Sequence, residues 1–226
     1  MKKILLSASL MCADFKNLEK VLIALEEGGI DFIHADIMDG HFVPNLTLSP
    51  LIIKSIKEIV RMPFDAHLMV EKPDMFIDEL IEIGIEAITL HIETISQYAF
   101  RIIDKIKTKD RKVGIALNPG TSLDSLEYLF PFVDKITVMT VDPGFAGQKF
   151  IPYMLEKIKK LDMIRKKYGY EFLIEADGGI GERVYPDLKK AGIDILVLGT
   201  SWLFDGSLDL VGNLKKIKKF IEDDNF

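Results

Sequence analysis

Short apolar runs of strand character recur along the chain, and each is followed by a segment whose apolar residues repeat at helical spacing. The strand-like runs are Ile4–Ser9, Phe32–Ile37, Phe64–Met69, Ala87–His91, Val113–Leu117, Lys135–Met139, Glu171–Ala176 and Ile195–Gly199. The helical segments are Leu18–Leu25, Pro50–Val60, Phe76–Ile83, Phe100–Ile106, Leu123–Leu129, Met154–Ile164, Val184–Ala191 and Leu208–Ile221. Ser49-Pro50 and Lys72-Pro73 put proline at or near a first helical turn, where its missing N–H costs nothing. Gly28-Gly29, Gly84, Gly169 and Gly192 stand where a C-terminal cap is expected.

Eight strand–helix units fill 226 residues, about 28 residues each, with no low-complexity linker or charge block between them. Gly-Ile-Asp at 29–31 and 192–194, and Gly-Ile-Glu at 84–86, mark the same place before a strand. Eight unbroken βα units predict an α/β fold in one domain spanning residues 1–226, a (β/α)₈ TIM barrel, with a doubly wound open sheet as the competitor. In such a barrel the functional residues lie at the C-terminal ends of the strands and in the loops that follow.

Composition narrows the function classes. Hydrophobic residues make up 48% of the chain and charged residues 28%, enough for a large core. The net charge of −6 and pI near 5.3 argue against nucleic acid as a partner. No apolar stretch reaches the roughly 20 residues of a membrane span. The start, Met1-Lys2-Lys3 then Ile4-Leu5-Leu6, has too short an apolar run for a secretory signal. Cys12 is the only cysteine, so no intrachain disulfide forms, which fits a reducing cytoplasm.

The densest chemistry lies in His34-Ala-Asp36-Ile-Met38-Asp-Gly-His-Phe-Val-Pro-Asn45. On a strand His34 and Asp36 point to one face. Strand 1 ends at Ser9, strand 3 carries His67, and strand 7 leads into Asp177. Two imidazoles and two carboxylates at one rim form a candidate site for one divalent metal ion: Zn, Mn, Fe or Co. Each residue alone could equally be a buried structural group; their convergence on one face favours the ligand reading. Gly144-Phe145-Ala146-Gly147 after strand 6, Gly178-Gly179 after strand 7 and Gly199-Thr200 after strand 8 offer backbone N–H groups to a phosphate. Their spacing fits neither the Rossmann nor the P-loop pattern, so a nucleotide cofactor is not expected. Met38, Met69 and Met139 near strand ends are core filler or an apolar floor to the site. His41 reads as a loop residue, and His91, at the end of strand 4, faces the site without being assigned as a ligand.

These residues resemble the ribulose-phosphate 3-epimerase family over nearly the whole chain. The shared signatures are Ser9-Leu10, His34-x-Asp36-x-Met38-Asp39-Gly40 with Phe42-Val43-Pro44-Asn45, His67-Leu68-Met69, Asn118-Pro119-Gly120-Thr121, Pro143-Gly144-Phe145 with Gly147-Gln148, Asp177-Gly178-Gly179 and Gly199-Thr200. Ala8 departs from a proline common there. The resemblance implies an isomerase acting on a phosphorylated ketose, a homo-oligomer, with His34, Asp36, His67 and Asp177 as metal ligands. Asp36 and Asp177 would also move the C3 proton through an enediolate, and Ser9 and His67 would contact substrate oxygens.

The family has a pentulose and a hexulose branch. Asn45–Pro50, His91-x-Glu93-Thr94-Ile95, Lys135–Asp142 with Ala146, and Gly199-Thr200-Ser201 look like the hexulose branch. Gly178-Gly179 and Asn118-Pro119-Gly120 look like the pentulose branch. The expectation is a 3-epimerase interconverting D-allulose 6-phosphate and D-fructose 6-phosphate, with D-ribulose 5-phosphate and D-xylulose 5-phosphate as the alternative pair. A decarboxylase or aldolase would need a lysine at the ends of strands 2, 3 or 7, and none is there. A non-catalytic phosphosugar-binding barrel would not need the four ligands.

Overall fold

The computed structural model describes residues 3–206 and 209–223, and the start of the last expected helix at Leu208 lies outside them. Eight parallel strands close into a barrel in chain order, with β8 pairing back onto β1. The strands are β1 (Leu5–Ser9), β2 (Phe32–Met38), β3 (Phe64–Met69), β4 (Ala87–His91), β5 (Lys112–Leu117), β6 (Lys135–Met139), β7 (Leu173–Asp177) and β8 (Ile195–Leu198). Around them run α1 (Leu18–Gly28), α2 (Pro50–Lys57), α3 (Asp74–Ile83), α4 (Ile92–Ile95), α5 (Ala99–Lys107), α6 (Met154–Tyr168), α7 (Tyr185–Ala191) and α8 (Leu210–Glu222). The open-sheet alternative is thereby excluded.

Period-two alternation divides each strand between two environments. In β2, Ile33, Ala35 and Ile37 join the apolar shell that the helices cover, while His34 and Asp36 are buried on the inner side. TIM barrels usually fill the interior with branched apolar side chains. Here it also holds Ser9, His34, Asp36, Asp65, His67, Thr89, His91, Lys135, Thr137 and Glu175, all buried. Burying these groups is tolerable only if each finds a partner. Gly114 makes room for them, because a Cβ there would lie 2.3 Å from the Thr89 hydroxyl oxygen.

The expected glycine caps are present. Gly29, Gly84, Gly169 and Gly192 end α1, α3, α6 and α7 in the left-handed region. Two elements differ from expectation, the first being the extra short helix α4 between β4 and α5. The segment after β5 makes two short 3₁₀ turns, Leu123–Leu126 and Phe130–Phe132, in place of a helix over Leu123–Leu129. Pro131 lacks the N–H that would continue a helix and disfavours α geometry in Phe130, so no helix can extend past that point. No helix among the described residues is long and apolar enough to cross a membrane.

Candidate active site

Register assembles the site. In the β2–β3 ladder Asp36 stands opposite His67 and Met38 opposite Met69, and in the β1–β2 ladder Ser9 stands opposite His34. Asp177 closes the ring from the end of β7. Four donor atoms converge: His34 Nε2, His67 Nδ1, Asp36 Oδ1 and Asp177 Oδ2. His34 Nε2 lies 3.1 Å from His67 Nδ1, 3.3 Å from Asp36 and 3.6 Å from Asp177. His67 Nδ1 lies 3.3 Å from Asp36 and 3.5 Å from Asp177. A tetrahedron with metal–ligand bonds of about 2.05 Å has edges of about 3.3 Å, so the spacing suits a small divalent cation. All four atoms lie within 4.8 Å of one another, and the set can hold such an ion.

The electrostatics favour a cation at this point. Burial opposes a charge on His34, but the Asp36 charge and the hydrogen bonds of Asp177, Asp36 and Asp65 outweigh it and raise its proton affinity well above normal. Burial likewise raises Asp36 and Asp177, yet His34 and His67 hold both carboxyls below their ordinary range.

Each cage imidazole is braced from behind. His34 Nδ1 donates to Asp65 Oδ2 at 3.0 Å, which leaves the Nε2 lone pair facing the cage. Asp65 also accepts from the Thr89 hydroxyl at 2.8 Å and from Lys135 Nζ. Lys135 reaches Glu175 at 2.7 Å, and Thr137 donates to that same carboxylate. His34, Asp65 and Glu175 thus form a second cluster of donors, but the Lys135 ammonium already sits between its two carboxylates. His67 Nε2 lies 2.9 Å from His91 Nε2, and burial pushes His91 down to about 4, so His91 is neutral at physiological pH.

Above the cage opens a cleft of about 520 Å³. Its lining includes Ser9, Asp36, Met38, Met69, Met139, Gly144, Phe145, Ala146, Gly147, Asp177, Gly178, Gly179, Gly199 and Thr200, which brings together nearly every residue singled out from sequence. His34 and His67 do not line it; they are wholly buried beneath. Both His67 nitrogens are committed, one to the cage and one to His91, so it offers none to a substrate oxygen. Ser9 Oγ donates to Asp36 Oδ2 at 2.8 Å. Met38 and Met69 pack with Val43 into a small apolar cluster at the cleft wall. Cys12 also lines the cleft, with its thiol held in the protonated form by burial. His41 sits in an exposed turn against Asp39.

The glycine-rich loops have fixed shapes. Gly178 and Gly179 have φ of 116° and 66°, and a Cβ on Gly179 would come within 2.6 Å of the Phe150 backbone nitrogen. In the loop after β6, Gln148 Nε2 donates to the carbonyls of Asp142 and Phe145. Asn45, from the loop after β2, donates to the Gly144 carbonyl at 2.7 Å. Asp65, Glu93, Lys135, Glu175 and the bracing role of His91 went unassigned in the sequence reading. For all but Glu93, which lies in α4, their signal was a run of polar residues at inward positions of β3, β4, β6 and β7, in phase with the cage residues.

Comparison with known proteins agrees with this geometry. Residues 5–203 match the ribulose-phosphate 3 epimerase family. A ribulose-phosphate 3-epimerase of Methanocaldococcus jannaschii is 45% identical over 87% of this chain and 82% of its own. One from Treponema pallidum is 41% identical, covering 90% of this chain and 92% of its own. The 3-hexulose-6-phosphate synthase of Salmonella typhimurium shares the fold, with a TM-score of 0.70 over 99% of both chains at 19% identity.

The names of these relatives correct the expectation of D-allulose 6-phosphate and D-fructose 6-phosphate as the substrate pair. A physical reason is visible. Two of the stretches that pointed to the hexulose branch, residues 45–50 and 91–95, hold the scaffold and do not line the cleft, whereas Met139, Val141, Asp142, Ala146 and Gly199-Thr200-Ser201 do line it. Asn45 ties two loops together, Thr47 donates to the Asp36 carbonyl at 2.5 Å, Glu93 bonds His91, and Lys135 sits in the barrel's ion-pair cluster. Such residues cannot measure a sugar's length. From its sequence, the chain belongs to the ribulose-phosphate 3 epimerase family and is an isomerase of the sugar-phosphate epimerase class.

Proposed function

We propose that the protein interconverts D-ribulose 5-phosphate and D-xylulose 5-phosphate by moving a proton at C3, with one divalent ion held by His34, Asp36, His67 and Asp177. The observation that carries this reading is the placement of two carboxylates, from β2 and β7, in one cage at the base of a cleft rimmed by glycine loops. A proton next to a ketone is removed only if the resulting enediolate is stabilised. A bound Zn, Mn, Fe or Co ion supplies Lewis-acid stabilisation of the charge on the sugar's C2 and C3 oxygens.

The remaining work falls to side chains. Asp36 and Asp177 each direct one oxygen at the cage, and the second oxygen of Asp36 lies outside it on Ser9. For each turnover one starts ionised and takes the C3 proton; the other starts protonated and delivers a proton to the opposite face. Reverse turnover swaps the roles. Ser9, donating to the outer oxygen of Asp36, fixes the plane of that carboxylate and limits its basicity. Met38, Met69 and Met139 keep water from the reacting carbons. The backbone N–H groups around Gly144–Gly147, Gly178-Gly179 and Gly199-Thr200 bind the phosphate, and this remote binding energy positions the sugar. A lone cysteine and a phosphorylated substrate both suit the cytoplasm.

The test is kcat/KM measured in parallel for D-ribulose 5-phosphate and D-allulose 6-phosphate. The pentulose should be preferred by at least tenfold, and a preference for the hexulose would refute the assignment. Exhaustive chelation should abolish turnover, and Mn²⁺ or Co²⁺ should restore it; undiminished activity after chelation would remove the metal from the reading.

A further inference from the structure

We propose that His91 and Glu93 are positioning residues that set the ring tautomer of the ligand His67, and that the Asn118–Thr121 loop exists to hold Glu93 in place. This inference rests on the metal reading above and extends it.

The three groups form a line with one proton arrangement that leaves His67 Nδ1 free to bind a metal. Glu93 Oε2 lies 3.3 Å from His91 Nδ1, and His91 Nε2 lies 2.9 Å from His67 Nε2. A carboxylate only accepts, so His91 Nδ1 carries a hydrogen. The neutral ring then has its lone pair at Nε2 and accepts the Nε2–H of His67. That leaves the lone pair of His67 on Nδ1, which faces the cage. The two imidazole planes are only 16° apart with centroids 5.0 Å apart. With nitrogens in contact, that places the rings edge to edge, as an in-plane N–H···N bond requires. His34 obtains the same result from Asp65 directly. His67 obtains it through one extra ring.

The far end of the line is anchored. Glu93 Oε1 accepts from the Asn118 backbone N–H at 2.8 Å and from the Thr121 hydroxyl. Lys157 Nζ, reaching across from α6, donates to the carbonyls of Asn118, Pro119 and Thr121 at 2.8–3.0 Å. The Asn118-Pro119-Gly120-Thr121 motif lies outside the cleft, so its contribution to the site runs through Glu93. Two donors on Oε1 also fix how a substitute would sit. In Glu93→Gln the amide oxygen must take the Oε1 place, and the NH₂ then faces His91 Nδ1. The chain of donors reverses, and His67 Nδ1 presents a hydrogen to the cage. Glu93→Ala imposes no direction.

The experiment is a Co²⁺ titration of metal-stripped full-length protein, followed by the visible absorption of the bound ion, on wild type and both variants. Glu93→Gln should weaken Co²⁺ binding about 10–100-fold, the range typical of groups that orient metal ligands. Glu93→Ala should weaken it less, an order that a purely structural role for Glu93 would reverse. Affinity of Glu93→Gln within threefold of wild type, or a larger loss in Glu93→Ala, would overturn the positioning role alone. Wild-type protein that takes up no Co²⁺ would overturn the metal reading and the positioning role together.

Discussion

His34 and His67 are each wholly buried, and each ring has one nitrogen on the cage and the other on a neighbour. The cost of burying polar groups so deeply is offset only by complete pairing, which makes the partners as critical as the ligands. Lys135 is the clearest case. Its ammonium stands between Asp65 and Glu175, and burial, which opposes its charge, is outweighed by those two carboxylates, so its proton is held more tightly than in a free lysine. Lys135→Ala leaves two buried carboxylates without a counter-charge and should lower unfolding free energy by about 3–5 kcal/mol, read by urea denaturation. Lys135→Arg, which retains the charge, should recover part of the loss. The convergence of His34, Asp36, His67 and Asp177 could be read in the sequence because period two and strand ends identify them one strand at a time. Lys135, Asp65, Glu93 and Glu175 could not, because their meaning depends on which strand lies beside which and at what height, and that is known only once the register is.

The loops that shape the cleft are tied together by side chains. Asn45 joins the β2 loop to the β6 loop, and Gln148 staples the β6 loop to itself. Losing one such hydrogen bond costs about 1 kcal/mol, roughly fivefold in an equilibrium constant. Asn45→Ala and Gln148→Ala should therefore raise KM for the sugar phosphate about fivefold with little change in kcat, if the backbone these bonds hold binds the phosphate as proposed. A fall in kcat at constant KM would place these residues at the chemistry instead. Helix existence and capping were legible from apolar spacing and glycine, as Gly29, Gly84, Gly169 and Gly192 show. The stretch after β5 was not: Leu123, Leu126 and Leu129 recur every third residue, a spacing that suits a 3₁₀ turn as well as an α-helix.

The barrel was legible because eight alternations without a linker leave little else for the chain to form. Substrate length was not, because part of the residues that looked diagnostic, Asn45, Thr47, Glu93 and Lys135, hold the frame and the rest line the cleft without marking where a sugar chain would end. Concentrating paired charge in the barrel interior also ties the fold's stability to pH. Glu93, which burial raises but His91, Thr121 and Asn118 draw down, lies at about 2 in place of about 4.5, and Asp65 is likewise held below its ordinary range. Their stabilisation is complete above the unfolded pKa of about 4 and is lost as pH falls towards the folded values. His91 acts in the same direction from about 6.5 down to about 4, because the unfolded chain binds its proton first. Tm should therefore fall steadily from pH 6 to pH 3, and a flat profile would contradict the pairing of these groups.

The most direct measurement is isotope exchange at the reacting carbon. In D₂O with D-ribulose 5-phosphate, NMR should show solvent deuterium entering C3 as D-xylulose 5-phosphate forms. Asp36→Asn and Asp177→Asn should each lower turnover about 10²–10⁴-fold while the fold is retained. Epimerisation without deuterium at C3, or near-normal turnover in both variants, would contradict proton transfer by these two carboxylates.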